Sequence, residues 1–257
     1  KTILLYPEQG KGDEVQFARY IPLVAERGGR VVLWASRPML RLLSGVSGAA
    51  IVCDTLEGAG SYDCHASLMD LPGIFRTSLE TIPNETPYLN LENDLLDIWS
   101  GRLGPKENLR VGLVWAGNPA HKNDRNRSID LELFQPLSEI KELSLFSLQV
   151  GQSEKAAIVL GSSVRELEKE IKDFADTAAA ISALDLVISV DTAVAHVAGA
   201  LGKPVWTLLP FIPDWRWLLD RDDSPWYPSM RLFRQDRPGD WSGVITNVVT
   251  ELSNDMS

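Results

Sequence analysis

Cysteine is scarce. Only Cys53 and Cys64 occur in 257 residues, so the chain carries neither a disulfide framework nor a paired-cysteine zinc motif, and a reducing cytoplasm is the expected compartment. No apolar stretch approaches the ~20 residues of a membrane span, and no secretory leader is expected. An initiator methionine is missing too: the sequence starts at Lys1, directly inside an apolar strand pattern, which suggests a processed product or a piece of something longer. Positive charge is in the minority, 25 Lys and Arg against 35 Asp and Glu. The resulting net charge of −10 argues against a nucleic-acid polyanion as the main partner. Short repeats and low-complexity tracts are also lacking, which speaks against a solenoid within this sequence or a disordered segment.

What remains is a soluble globular composition, 44% hydrophobic, which is enough for a sizeable core in one large domain or two ordinary ones. The first half alternates strand and helix patterns: strand Thr2–Tyr6, a glycine-rich turn, a helix from Asp13 towards Arg27, and strand Arg30–Ala35. Pro22 must kink or divide that helix. A short helix at Pro38–Leu43 and strands at Ala49–Cys53 and Tyr62–Leu68 follow. Between Asp70 and Leu109 the pattern weakens and prolines punctuate it. A boundary is expected there, giving domains 1–105 and 106–257. The second half restarts with strand Arg110–Trp115, then helix Leu131–Leu137, strand Leu145–Val150, a helix after Ser153 and another from about Thr177. Val164–Lys172 fits either a helix or an edge strand, and a terminal helix is expected near Ser242–Leu252. Two such runs predict two doubly wound α/β domains facing across a cleft.

The segment Ala183–Pro210 is the most informative. Leu184–Val190 is a nearly continuous apolar run, as expected of a parallel strand covered on both faces. Asp191 and Thr192 interrupt it at the carboxyl end, Ala193–Leu201 reads as a helix closed by Gly202, and Val205–Leu209 starts another strand. Ligands of open parallel sheets bind at such strand ends, where a helix N-terminus offers free N–H groups and partial positive charge. His196 lies four residues after Thr192 on the same helical face, leaning back towards the turn. The plain alternative is a crossover helix with Asp191 or Thr192 as its cap and a half-buried histidine.

Three other segments have similar placement. Pro7–Glu14 follows the first strand, and Gly10 and Gly12 permit a tight turn without forming a full dinucleotide fingerprint. Asp13 there is either a helix cap or a carboxylate placed to take a proton from a hydroxyl. Trp115–Ser128 carries Lys122, Arg125 and Arg127 opposed only by Asp124, which is a solvated loop or a phosphate site; Ser128 is a plausible N-cap for the helix that follows. The tryptophans between Trp215 and Trp241 either stack on a sugar or base or are buried against the neighbouring domain. Asp222-Asp223 reads as surface rather than as a metal site, and His121, like His196, stands beside a strand end, while His65 lies within a strand.

Together these residues resemble a known group. Asp191-Thr192-Ala193-Val194-Ala195-His196 with Gly202-Lys203-Pro204 looks like the Asp-Thr-Gly-x-x-His segment of the bacterial lipopolysaccharide heptosyltransferases, and Gly10-Lys11-Gly12-Asp13 is similar to their amino-terminal turn. Nearly the whole chain resembles the glycosyltransferase-like regions that follow tetratricopeptide repeats in bacterial proteins. The resemblance implies a GT-B fold and a metal-independent, inverting transfer from a nucleotide-sugar, which is a substrate rather than a cofactor. By position it implies that Asp13 is the catalytic base, Arg127 a phosphate-binding cation, and Thr192 with Ala193 the phosphate-binding helix start. Asp191 and His196 become donor contacts, with Gly12, Asn118 and Gln149 also on the nucleotide-sugar side. Ala193 stands where the family has glycine and Arg127 where heptosyltransferases usually have lysine; both departures weigh against heptose as the transferred sugar. The acceptor is then a glycan or, with repeats preceding the chain, a protein. The rival readings are a nucleotide-sugar epimerase on the same fold and an inactive nucleotide-binding or interaction module.

Overall fold

Short apolar runs, buried on both faces in the central strands of the larger sheet, set the architecture. The computed structural model describes residues 1–256. In the first half, β1 (Thr2–Tyr6) leads to α1 (Lys11–Ala18) and α2 (Ile21–Glu26), then β2 (Arg30–Trp34), α3 (Leu40–Leu43), β3 (Ala49–Cys53), α4 (Leu56–Ala59), β4 (Cys64–Ser67) and α5 (Leu71–Ile74). The strands form a parallel sheet in the order β3-β2-β1-β4. Helix α6 (Asn93–Leu103) then carries the chain into β5 (Leu109–Val114). Next come α7 (Asp124–Arg127), α8 (Gln135–Ser138), β6 (Leu143–Ser147), α9 (Ser153–Leu160), β7 (Val164–Glu166) and α10 (Phe174–Ser182). The chain ends with β8 (Leu186–Val190), α11 (Ala193–Ala200), β9 (Val205–Leu209), β10 (Met230–Arg234) and α12 (Trp241–Asp255). This second sheet is also parallel, in the order β10-β9-β8-β5-β6-β7.

Pro22 divides the first helix rather than kinking it. It falls in the first turn of α2, where its missing N–H is not needed. Val164–Lys172 resolves into the edge strand β7 followed by a turn of 3₁₀ helix at Glu168–Glu170. The weak region between Asp70 and Leu109 nevertheless contains α6, and β10 (MRLFR) lies in a stretch without a strand pattern.

The two halves touch along α1 and α11. Helix α11 is built of small residues, AVAHVAGA, which lets α1 come close, and the approach is tightest at Gly12. A Cβ at that position would stand 2.8 Å from His196 Cδ2, so even a methyl group there would force the helices apart. The main core runs from Leu5, Val15 and Phe17 through Trp99 to Val187, Leu209 and Leu232. A second core fills the opposite face of the larger sheet, under α8, α9 and α12. Among the described residues, no helix is long and apolar enough to cross a membrane.

Candidate active site

The loops after β1, β5, β8 and β9 carry the charged residues, so the site is best built from the β8–α11 turn outwards. Thr192 is the N-cap of α11, with extended backbone (φ −141°, ψ 171°), but it makes no side-chain cap bond. Its hydroxyl turns back instead to Ser189 Oγ at 3.1 Å. The first turn of α11 thus keeps its amides without a side-chain cap, and such an end favours an anion.

Arg127 reaches this turn from α7. Its Nη1 donates to the Asp191 carbonyl at 2.9 Å, and its Nε pairs with Asp124 at 3.2 Å. The guanidinium lies against Gly117, where a Cβ would come within 2.5 Å of Nη2, so a side chain there would push Arg127 and Asp124 out of their pairing. Ser128, expected as a helix cap, closes this loop instead by accepting the Gly117 N–H at 3.0 Å. Lys122, Arg125 and His121 are exposed.

Burial raises the pKa of the Asp191 carboxyl; the Trp217 indole and the guanidiniums of Arg127 and Arg216 oppose that rise, while Asp214 adds to it. Ala193, beside it, is half-buried as the first residue of α11.

His196 points elsewhere. Its ring is 5% exposed, with Nδ1 2.9 Å from the Tyr227 hydroxyl and its centroid 5.3 Å from that of Trp217. Where the resemblance implies a donor contact, the structure places the imidazole under Gly12 of α1, as a strut between the two halves. Burial lowers its pKa well below the ordinary value of about 6.5, and the charges of Arg216 and Arg19 add to this. A histidine held neutral in the fold but free to protonate when unfolded costs stability as pH falls. Below about pH 6.5 the unfolded chain binds the extra proton, so its population rises. His196→Gln should therefore flatten the acid limb of a Tm-against-pH profile between about pH 6.5 and 4.5, and an unchanged limb would contradict the assignment.

Asp13 supports the helix start, although the cap residue itself is Gly10. It lies in the first turn of α1, where Oδ2 accepts the Gly10 N–H at 2.8 Å, and Oδ1 pairs with Arg216 Nη2. Arg216 arrives from the loop after β9 and is buried. It also donates to Gln16 Oε1 and to Asp214 Oδ1, each at 2.7 Å, and its guanidinium lies over the Trp215 ring at 4.6 Å. Arg216 thereby joins Asp13 in the first half to the surroundings of Asp191 in the second.

The other expected contacts brace backbone. Gln149 is buried, and its Oε1 accepts the amides of Trp115 and Ala116 at 3.3 and 3.0 Å, fixing the exit from β5. Asn118 is exposed and closes a local turn through Ala120 N at 3.0 Å. Gly12 serves the helix contact with His196. Arg216 is hidden in the sequence by the aromatic residues around it; its one signal is a cation set between two tryptophans in the loop after a buried strand. Of those tryptophans, Trp217 and Trp226 are buried, and Trp226 stands edge-on to Phe17 of α1, whereas Trp215 is 57% exposed. Among the described residues, no group of three His, Cys, Asp or Glu side chains is placed to hold a metal ion.

The loops meet at the carboxyl ends of two facing parallel sheets. Superposition on E. coli ADP-heptose lps heptosyltransferase II gives a TM-score of 0.70 at 14% identity, covering 99% of this chain and 98% of that one. The fold is GT-B. E. coli heptosyltransferase WaaC with ADP aligns at a TM-score of 0.60 and 12% identity, over 99% and 98% of the two chains. Residues 171–211, which hold α10, β8, α11 and β9, match the sequence model of Glycosyltransferase family 9 (heptosyltransferase). Protein FlbA of Caulobacter vibrioides is 27% identical over 281 residues, covering 98% of this chain and 46% of FlbA, so the chain spans about half the length of that relative. These matches support a glycosyltransferase.

Proposed function

We propose that the chain transfers a sugar from a nucleotide-activated donor to an acceptor hydroxyl, without a metal and with inversion at the anomeric carbon. The acceptor oxygen forms the new bond to that carbon as its proton passes to the Asp13 carboxylate. The bond from carbon to diphosphate oxygen breaks in the same step, and the departing diphosphate keeps the electron pair. Its charge is met by the Thr192–Ala193 helix start and by Arg127, fixed donors that need no reorganisation at the moment of transfer. The observation that carries this reading is the start of α11 without a side-chain cap, with Arg127 fastened to the Asp191 carbonyl just ahead of it, and with Arg216 joining the neighbouring loop to Asp13 on the opposite half.

The acceptor is read as a hydroxyl on a protein or glycan, with tetratricopeptide repeats ahead of this segment as the expected docking surface and the cytoplasm as the compartment. ADP is the first donor nucleotide to try, since WaaC is described with ADP. Calorimetric titration with ADP, UDP, GDP and CMP is expected to give saturable binding for one of them, and its nucleotide sugar is expected to come back unchanged when no acceptor is present. Failure of all four to bind would leave only an interaction module. Conversion of the sugar without an acceptor would favour an epimerase.

A further inference from the structure

Arg216 is oversubscribed. One guanidinium, 7% exposed, serves the carboxylates of Asp13 and Asp214 and the amide oxygen of Gln16. By accepting from Arg216 Nε, Gln16 Oε1 fixes the orientation of its amide, and this leaves Gln16 Nε2 buried with no partner. A second donor therefore lies beside the guanidinium without an acceptor, which in a folded interior calls for an explanation. Asp13 and Asp214 both pair with Arg216, Asp191 lies near the guanidiniums of Arg127 and Arg216, and Arg127 is already paired with Asp124. A diphosphate entering at the α11 start would add further negative charge, so it needs a cation beyond Arg127.

The segment that carries Arg216 is suited to supply one. Trp217, the next residue, packs on His196 in the second turn of α11, so the guanidinium is tethered close to that helix start. Leu218 follows with φ 54° and ψ −161°, a left-handed conformation that side chains adopt only under strain. Asp13, for its part, has each carboxylate oxygen engaged, one by Gly10 N–H and one by Arg216. In that state each oxygen has one lone pair left for an acceptor hydroxyl, and Oδ1 is held by the guanidinium.

We propose that Arg216 is a donor-binding residue shared with Asp13: it holds the Asp13 carboxylate until a nucleoside diphosphate arrives, then turns to the diphosphate and frees Asp13 for the acceptor. Donor binding then precedes acceptor activation, and the base is released from the guanidinium only when a leaving group is in place. This inference rests on the glycosyltransferase reading.

A double-mutant cycle tests it, with the free nucleotide found by titration as the probe. Asp13→Asn removes the competitor for Arg216 and is expected to tighten nucleotide binding by about 5–10-fold. Arg216→Ala is expected to weaken binding by about 10–100-fold. In the Arg216→Ala background the gain from Asp13→Asn should vanish. A gain that persists there comes from the general loss of negative charge, and no gain in the first place means that the ion pair is only structural; either result overturns the proposal. If Arg216→Ala does not fold, Arg216→Lys takes its place in the cycle, keeping the charge but losing the forked contacts, and the gain should shrink. Absence of nucleotide binding by the unaltered protein would overturn the parent reading and this inference together. Binding without the Asp13→Asn gain would overturn the inference alone.

Discussion

Asp13→Asn is expected to reduce kcat for sugar transfer by about 10²–10⁴-fold, the usual contribution of a positioned general base. The substitution is nearly isosteric, and an amide oxygen can still accept the Gly10 N–H that Asp13 Oδ2 now takes at 2.8 Å. Arg216 keeps Asp214 and Gln16 as partners, so its buried charge is not abandoned and the fold should survive. A defect confined to kcat, with nucleotide affinity retained or improved, is what separates a base from a binding residue. The measurement is product formation under saturating donor and acceptor, beside a thermal melt of the same preparation. Undiminished turnover in Asp13→Asn would show that the proton goes elsewhere.

The largest effect on stability is expected at Trp99. Its side chain is fully buried on α6, its N–H donates to Asp176 Oδ1 at 3.1 Å, and the Arg102 guanidinium covers the ring at 4.8 Å. Asp176 in turn accepts from Lys172 N at 3.0 Å and pairs with Arg41 of α3 at 3.0 Å. One indole thus fills the core between α6 and α10 and supports a carboxylate that ties the second half to the first. Trp99→Ala should cost about 3–5 kcal/mol, seen as a Tm lower by roughly 10 °C or more. Trp99→Phe keeps most of the volume and loses one hydrogen bond, so its cost should be much smaller, about 1–2 kcal/mol. Equal losses for both would mean that the hydrogen bond, rather than the packing, dominates.

Much of the fold could be read from the chain because a parallel strand buried on both faces leaves a nearly continuous apolar run, as in Leu186–Val190 and Val205–Leu209. Helix α6 was harder. Only Trp99 and Leu103 of its eleven residues are buried, so its apolar stripe is thin and the surrounding prolines dominate the pattern. β10, with arginines at two of its five positions, lacks the unbroken run as well. At the candidate site, Asp13, Arg127 and the Asp191–Thr192 turn stand out because each lies in the turn or first helix that follows a strand. What His196 does is not legible, since leaning back along a helix says nothing about what the neighbouring helix places there. Arg216 was obscured for a related reason: its importance comes from contacts with Asp13 and Gln16, about two hundred positions away.

The core that passes without a break from Leu5 and Phe17 to Val187 and Leu232 also bears on how such a protein can change. Neither half has a finished surface of its own along α1 and α11, and Gly12 must meet His196 with almost no clearance. A half grafted from a relative would bring the wrong seam unless both helices came with it. The two halves are therefore inherited as a pair, and change is accommodated most easily in the strand-end loops, away from the α1–α11 seam.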